Sequence, residues 1–327
     1  MNGMPVDTRS GLPGCTAGRL GVRCSLDQPN TTQDASGSSA GPGAATAAGL
    51  VGFAIGSDTG GSINSPSERN GLAGLRPTFG RVSRYGGMTL AWTQDTVGPM
   101  CRTSDCALVF DAIYGPDGKD NTVLDVPFGW DATADVRKLR VGYLQSSFAA
   151  RAGETAAQVA TRRNNEAALN VIRGMGVTVV PFDLPHAEIA AIDFIGWAET
   201  AAAFDAPTRN GTLRDIENGQ EQSTRPVDIR AGRFITAVDY LQANRYRMRL
   251  MEQMDAAMGG LDLSLGANGS LTNRLGYPML TVPSGFFEGS PTGLHMTGKL
   301  FGEPELLLLA HAFQSRTDHH SKRPALS

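Results

Sequence analysis

Residues Ser36 to Ser67 read SGSSAGPGAATAAGLVGFAIGSDTGGSINSPS. Two Ser/Gly-rich turns, Gly37 to Gly41 and Gly56 to Ser62, bracket a small apolar segment. Glycine admits positive φ and lets other groups approach the backbone closely. Consecutive glycines let neighbouring N–H groups converge on one point, which is how backbone builds a pocket for an anion or an oxyanion. Gly60, Gly61 and Ser62 fit that description, with the Ser62 hydroxyl at the pocket's edge. The arrangement points to a serine nucleophile beside its own oxyanion hole. Taken alone, Gly-Gly-Ser reads more readily as a tight turn between buried elements; the paired serine turns shift the balance toward the chemical reading.

Beyond this stretch the order of motifs becomes specific. Gly37-Ser38-Ser39-Ala40-Gly41 is followed by the Ala/Gly-rich segment, by Gly56-Ser57-Asp58-Thr59-Gly60-Gly61-Ser62-Ile63, and by Gly74-Leu75-Arg76-Pro77-Thr78-Phe79-Gly80-Arg81-Val82-Ser83. This pattern resembles the amidase signature family, whose enzymes hydrolyse amides with a Ser–cis-Ser–Lys triad. The resemblance implies Ser62 as nucleophile, Ser38 as the bridging serine in a cis peptide, and Thr59, Gly60, Gly61 and Ser62 as the oxyanion hole. Ser39 and Asp58 are supporting residues, Asp58 bracing the second turn or, less favoured, acting as a base. Two departures stand out. The family's lysine lies upstream of the bridging serine, whereas the first of the four lysines here is Lys119. Asn64 stands where many members carry arginine.

In the family's chemistry a buried, neutral lysine accepts the nucleophile's proton through the bridging serine; burial is what lowers a lysine pKa far enough. Lys119, Lys138, Lys299 and Lys322 all lie outside the matching context, and arginine cannot deprotonate to replace them. Three alternatives therefore stand beside an active amidase. One is a catalytically dead remnant serving as a binding or scaffold domain. Another is a glutaminase-type subunit of a tRNA-dependent amidotransferase, although nothing in the sequence displays partner subunits or an ammonia path. The third is an α/β-hydrolase: Gly37 to Gly41 formally matches G-x-S-x-G with Ser39 as nucleophile. That motif requires a preceding strand, and Gln28 to Ala35 is polar; it also requires a histidine, for which His186, His295 and His311 are candidates.

The implied fold class is α/β: a central mixed, twisted sheet flanked by helices on both faces. The resemblance runs from about Ser36 to Leu326, so residues 36–327 form the expected domain. Residues 1–35 are polar, lack periodicity and read as a non-family or disordered terminus, with an N-terminal portion of the family domain missing. Glu154 to Met175 reads as a helix between strands Leu139 to Leu144 and Val177 to Pro181, a unit that makes parallel sheet. Phe53 to Ile55 reads as a short buried strand, Asn210 to Arg230 as a surface loop, and Ile235 to Met258 as a helix with Arg245, Arg247 and Arg249 mostly on its solvated face. Phe194 and Trp197 on the helix Ala187 to Phe204 read as core, with a substrate entrance as the alternative.

Composition agrees with a globular enzyme: 41% apolar and 19% charged residues in a chain of 327. A net charge of −3 gives no electrostatic case for nucleic acid. The apolar run Gly41 to Gly56 is too short and too rich in Ala and Gly to span a membrane. Cys15, Cys24, Cys101 and Cys106 form no C-x-x-C pair and no His cluster accompanies them, so disulfides and zinc are not expected and a reducing cytoplasm is the simplest setting. No cofactor or metal is implied. The expected partner is a small-molecule amide substrate, and apolar surface left uncovered at the N-terminal side would favour homo-oligomerisation.

Overall fold

A computed structural model describes residues 16–18, 21–23, 35–88, 90–214, 225–266 and 269–323. Most of the first 35 residues, with the sequence reading of them, lie outside the described residues; two short strands, β1 (Thr16–Gly18) and β2 (Gly21–Arg23), pair antiparallel there.

The remaining strands are β3 (Phe53–Asp58), β4 (Ala73–Arg76), β5 (Thr96–Cys101), β6 (Arg140–Leu144), β7 (Thr178–Phe182), β8 (Leu263–Leu265), β9 (Met279–Phe287) and β10 (Ser290–Gly298). They form one eight-stranded sheet in the order β3-β5-β4-β9-β10-β8-β6-β7. The helices are α1 (Ala40–Ala47), α2 (Asn64–Arg69), α3 (Cys106–Ile113), α4 (Gln145–Phe148), α5 (Ala156–Gly174), α6 (Ala190–Ala203), α7 (Asp205–Asn210), α8 (Arg225–Gly232), α9 (Ala237–Met258), α10 (Gly269–Thr272) and α11 (Glu303–Gln314).

The sheet is mixed for a topological reason. α5 is a crossover, and it makes β6 and β7 parallel. β9 and β10 follow each other through a short turn and pair antiparallel. Alternation along the strands then divides two faces. Leu280, Val282, Leu294 and Met296 join α3, α5 and α11 in the larger core. Thr281 and His295, one residue out of phase, point to the opposite face and meet α2. Farther along that opposite side, Leu144 and Phe182 pack with Ile192 and Ile195 of α6 and with Leu250 and Met254 of α9.

Three local expectations are corrected. β3 is an edge strand running to Asp58, not a short buried one: Phe53 is 51% and Ile55 40% exposed, because only β5 covers it. The stretch expected as a loop contains α8, whose Pro226 sits in the first turn where proline costs no hydrogen bond. Ile229 of that helix is buried and Gly232 abuts the Trp197 carbonyl, so tertiary packing overrides the polar composition. Arg247 is drawn inward, donating to the Thr93 hydroxyl at 2.7 Å, while Arg245 and Arg249 stay exposed. Phe194 packs against the α6–α9 core. Cys101 and Cys106 are buried free thiols.

Leu50, Val51, Phe53 and Ile55 make a contiguous exposed apolar stretch ending on an open strand edge, the combination that templates self-association. The double substitution Phe53→Lys, Ile55→Lys is expected to shift the chain toward monomer, as read by light scattering coupled to gel filtration. An unchanged mass distribution would rule the edge out as the contact.

Candidate active site

Both serine turns meet at the end of β3. The Gly37–Ser38 peptide is cis. The Ser62 hydroxyl donates to the Ser38 hydroxyl at 3.4 Å, and both groups are open to solvent. Beside them Ser39 is buried, and its hydroxyl donates to the Ser57 carbonyl and accepts from the Ser57 amide, both at 3.2 Å. The Ser39 amide donates to the Ser62 carbonyl at 3.2 Å, which stitches the two turns together. Ser39 is therefore a strut. The hydrolase-elbow reading loses its geometry: the Ser39 hydroxyl is bound to the Ser57 backbone, and the three candidate histidines pair elsewhere, with Glu188, Glu68 and Ser104.

Asp58 is the brace. Its carboxylate accepts from the Gly61 amide at 2.7 Å, the Ile63 amide at 2.6 Å and the Arg76 Nε at 3.1 Å, and it is 1% exposed. With its oxygens so engaged it has no room to act as a base. The contact also bears on the expected oxyanion hole. Gly61, at φ 120°, turns its N–H toward Asp58 and away from any substrate. Among the described residues the amides of Thr59, Gly60 and Ser62 donate to no protein acceptor, and a Cβ at Gly60 would meet nothing within 4 Å. Three convergent unclaimed amides beside an exposed hydroxyl pair can bind a developing oxyanion.

Arg76 is fully buried and spends its guanidinium on four acceptors: Asp58, the Tyr277 carbonyl, the Gln94 carbonyl and the Asn273 carbonyl, all at 3.0–3.1 Å. Burial lowers its pKa from the ordinary value, and Asp58 opposes that shift. Thr59 donates its hydroxyl to Asp95 at 2.5 Å, and Asp95 in turn accepts from the Leu90 and Ala91 amides. Asn64 is buried and donates to the Thr281 hydroxyl at 3.0 Å. Asn273 is fully buried, and among the described residues neither polar atom of its side-chain amide has a partner; its Nδ2 lies 4.0 Å from where a Gly61 Cβ would stand. The sequence reading assigns no task to Arg76, Asp95 or Asn273. An arginine ending an apolar strand immediately before Pro77 was the available signal.

None of the lysines reaches Ser38. Lys119 lies over the Tyr85 ring, Lys299 donates to the Gly259 carbonyl, Lys322 pairs with Asp318, and Lys138 closes a short 3-10 turn. Among the described residues no set of three or more His, Cys, Asp or Glu is arranged to hold a metal. Nor is any described helix long and apolar enough to cross a membrane.

A family profile described as Amidase matches residues 28–268. The chain belongs to the amidase signature family. A glutamyl-tRNA(Gln) amidotransferase subunit of Bacillus velezensis is 32% identical to it, over 89% of this chain and 69% of that protein. The namesake from Ralstonia nicotianae is also 32% identical, over 88% of this chain and 70% of its own. Among solved structures, the native peptide amidase from Stenotrophomonas maltophilia superposes with a TM-score of 0.75 at 29% identity, covering 90% of this chain and 68% of that one. The amidase fold therefore accounts for the sheet order and for the meeting of the two serine turns.

Two outcomes follow from the ion pairs around the site. Arg76→Met leaves Asp58 buried without its partner and is expected to cost about 3–5 kcal/mol in urea unfolding; a loss under about 1 kcal/mol would show that the pair is not the clamp. Arg84, which holds the Trp92 and Asp95 carbonyls, is anchored by Asp120, a side chain only 6% exposed. Burial raises the Asp120 carboxyl, but hydrogen bonds from Thr122 and Arg84 and the Arg84 charge outweigh it and hold it at about 2, below its ordinary 3.8. The depressed value means stability that is present above pH 3.8 and lost as pH falls through about 2. Asp120→Asn is expected to remove about 2 kcal/mol at neutral pH and almost nothing near pH 2, which paired urea titrations would read.

Proposed function

We propose that this chain hydrolyses carbon–nitrogen bonds of small-molecule amides with Ser62 as nucleophile and Ser38 as proton relay. The observation that carries this is the Ser62–Ser38 contact at 3.4 Å beside the unclaimed amides of Thr59, Gly60 and Ser62. Ser62 Oγ attacks the carbonyl carbon and passes its proton to Ser38 Oγ. The carbonyl oxygen, now an oxyanion, settles among the three amides. Collapse breaks the C–N bond, the leaving nitrogen takes a proton back through Ser38, and water then cleaves the acyl-serine. Asp58 and Ser39 hold the two turns in register for this exchange.

Ser38 opens to solvent, and no lysine among the described residues hydrogen-bonds to it. The proton therefore leaves to a solvent base. A general base contributes typically about 10²–10⁴ in rate, so turnover should be slower by that order than with a complete triad, and should climb with pH. A fluorophosphonate probe should label Ser62 slowly, with labelling abolished in Ser62→Ala and weakened in Ser38→Ala. Added methylamine, a small neutral base near its pKa, should accelerate it. A folded chain that takes no label even with methylamine would sink the hydrolase reading and leave a binding or scaffold protein of amidase fold. Loss of label in Ser39→Ala alone would restore the elbow reading.

A second reading, a glutaminase-type subunit that works with amidotransferase partners, is supported by the 32% identity to proteins so named. Hydrolysis of glutamine in preference to simple primary amides would favour it. The buried free thiols of Cys101 and Cys106 suit a reducing cytoplasm.

A further inference from the structure

A cavity of about 1060 Å³ opens between α6, α7 and α9, with the loop before β5 as its fourth wall. Its polar side chains are all committed to one another. The Glu199 carboxylate accepts from the Thr93 amide at 2.9 Å, the Thr93 hydroxyl at 2.7 Å and the Tyr240 hydroxyl at 2.7 Å. Asp205 pairs with Arg209 and Arg233. Thr236 exchanges hydrogen bonds with Asp239 at the start of α9. Most of the rest of the lining is apolar, with Met88, Trp92, Ala198, Ala202, Phe204 and Ile235 among it. Met88 and Trp92 are 79% and 58% exposed, although the Arg84 guanidinium lies over one side of the Trp92 ring, 5.3 Å from its centroid.

The loop that carries Trp92 also touches the serine turn at two points. The Gln94 carbonyl shares the Arg76 guanidinium with Asp58, and Asp95 accepts from Thr59. Cavity wall and oxyanion turn are thus parts of one braced unit. We propose that this cavity is the specificity pocket of the Ser62 site and that it takes an uncharged aryl-alkyl group carried by the amide. The inference rests on the Ser62 reading for its link to catalysis, but the pocket can be measured without turnover. An apolar occupant gains from leaving water and finds no buried polar group demanding a partner. A cationic group would lose its water and find the Glu199 and Asp205 carboxylates already paired. The volume accommodates a bicyclic ring system, well beyond what acetamide fills.

The test is calorimetric binding to the Ser62→Ala chain, which removes the nucleophile and isolates the pocket. The probes are 2-(naphthalen-2-yl)acetamide and acetamide. The naphthyl probe is expected to bind saturably and at least about tenfold tighter than acetamide. Ala202→Trp, an exposed position that narrows the cavity, should weaken the naphthyl probe about fivefold or more, as should Trp92→Ala. Ala206→Trp, on α7 outside the lining, should leave binding unchanged, and thermal melts check that each variant folds. Equal affinity for the two probes, or naphthyl binding untouched by both lining variants, would overturn the proposal. Fluorophosphonate labelling of the parent chain is read separately. Lost labelling with intact naphthyl binding indicts the Ser62 chemistry, and intact labelling with no naphthyl preference indicts the pocket.

Discussion

The buried pair of Asp58 and Arg76 is the contact on which the site depends. Neither side chain sees solvent, and the charges are 3.1 Å apart. Isolating such a pair from water is costly, and the cost is recovered only when every donor and acceptor is filled. Here they are. Asp58 collects two backbone amides of the serine turn, and Arg76 collects three carbonyls from chain as distant as Tyr277. Three segments that share no strand pairing at this point, residues 58–63, 91–95 and 273–277, are thereby fixed to one another. A hydrophobic replacement of the pair could fill the volume but could not direct the Gly61 amide inward, and the three outward amides keep their aim only because that fourth one is held.

The sequence carried much of this in a readable form. The parallel β6-α5-β7 unit follows from a long amphipathic helix between two apolar runs, and the structure has it within two residues at each end. The serine turns were legible because few chemistries need two Ser/Gly clusters separated by a small-residue helix. What escaped was long-range in origin. Whether β3 lies at an edge or in the middle depends on which strands pair with it, and β5 is its one neighbour, with no local residue announcing that. α8 has a loop's composition and is helical because Ile229 and Gly232 pack on α6. The diversion of the Gly61 amide to Asp58 needs coordinates, since four consecutive amides look equivalent in a string of letters.

The departure at Asn64 shows how the fold absorbs a changed residue two positions after Ser62. Asn64 is neutral and short, and its amide donates to the Thr281 hydroxyl and, at 3.4–3.5 Å, to the Gly74 and Met279 carbonyls. That hydroxyl lies 2.9 Å from His295 Nδ1, and His295 Nε2 lies 3.2 Å from Glu68. Burial raises the Glu68 carboxyl, but the His295 hydrogen bond and charge, with help from the Gly293 amide and Arg69, bring it below its ordinary value. Asn64 and Glu68 sit one turn apart on the same short helix, so both ends of this polar chain return to α2. The helix behind Ser62 is therefore tied to β9 and β10 by hydrogen bonds that run from Asn64 through Thr281 and His295 to Glu68.

These two networks divide the neighbourhood of Ser62 into a rigid half and an open half. Behind the turn the Asp58–Arg76 network and the Asn64–Thr281–His295–Glu68 chain tie the backbone down, with the Asn273 side-chain amide left without a partner among the described residues. In front of it, the two hydroxyls meet each other, and among the described residues the amides of Thr59, Gly60 and Ser62 donate to no protein acceptor. Such a division is what amide cleavage requires of a scaffold. The oxyanion donors must not reorganise when charge develops, while the side that receives the substrate must be free of competing protein acceptors. The constraint explains why Asp58 cannot serve as a base here despite its position: releasing it to solvent would free the Gly61 amide and loosen Arg76, and the pocket would lose its aim in the same step that gained a proton acceptor.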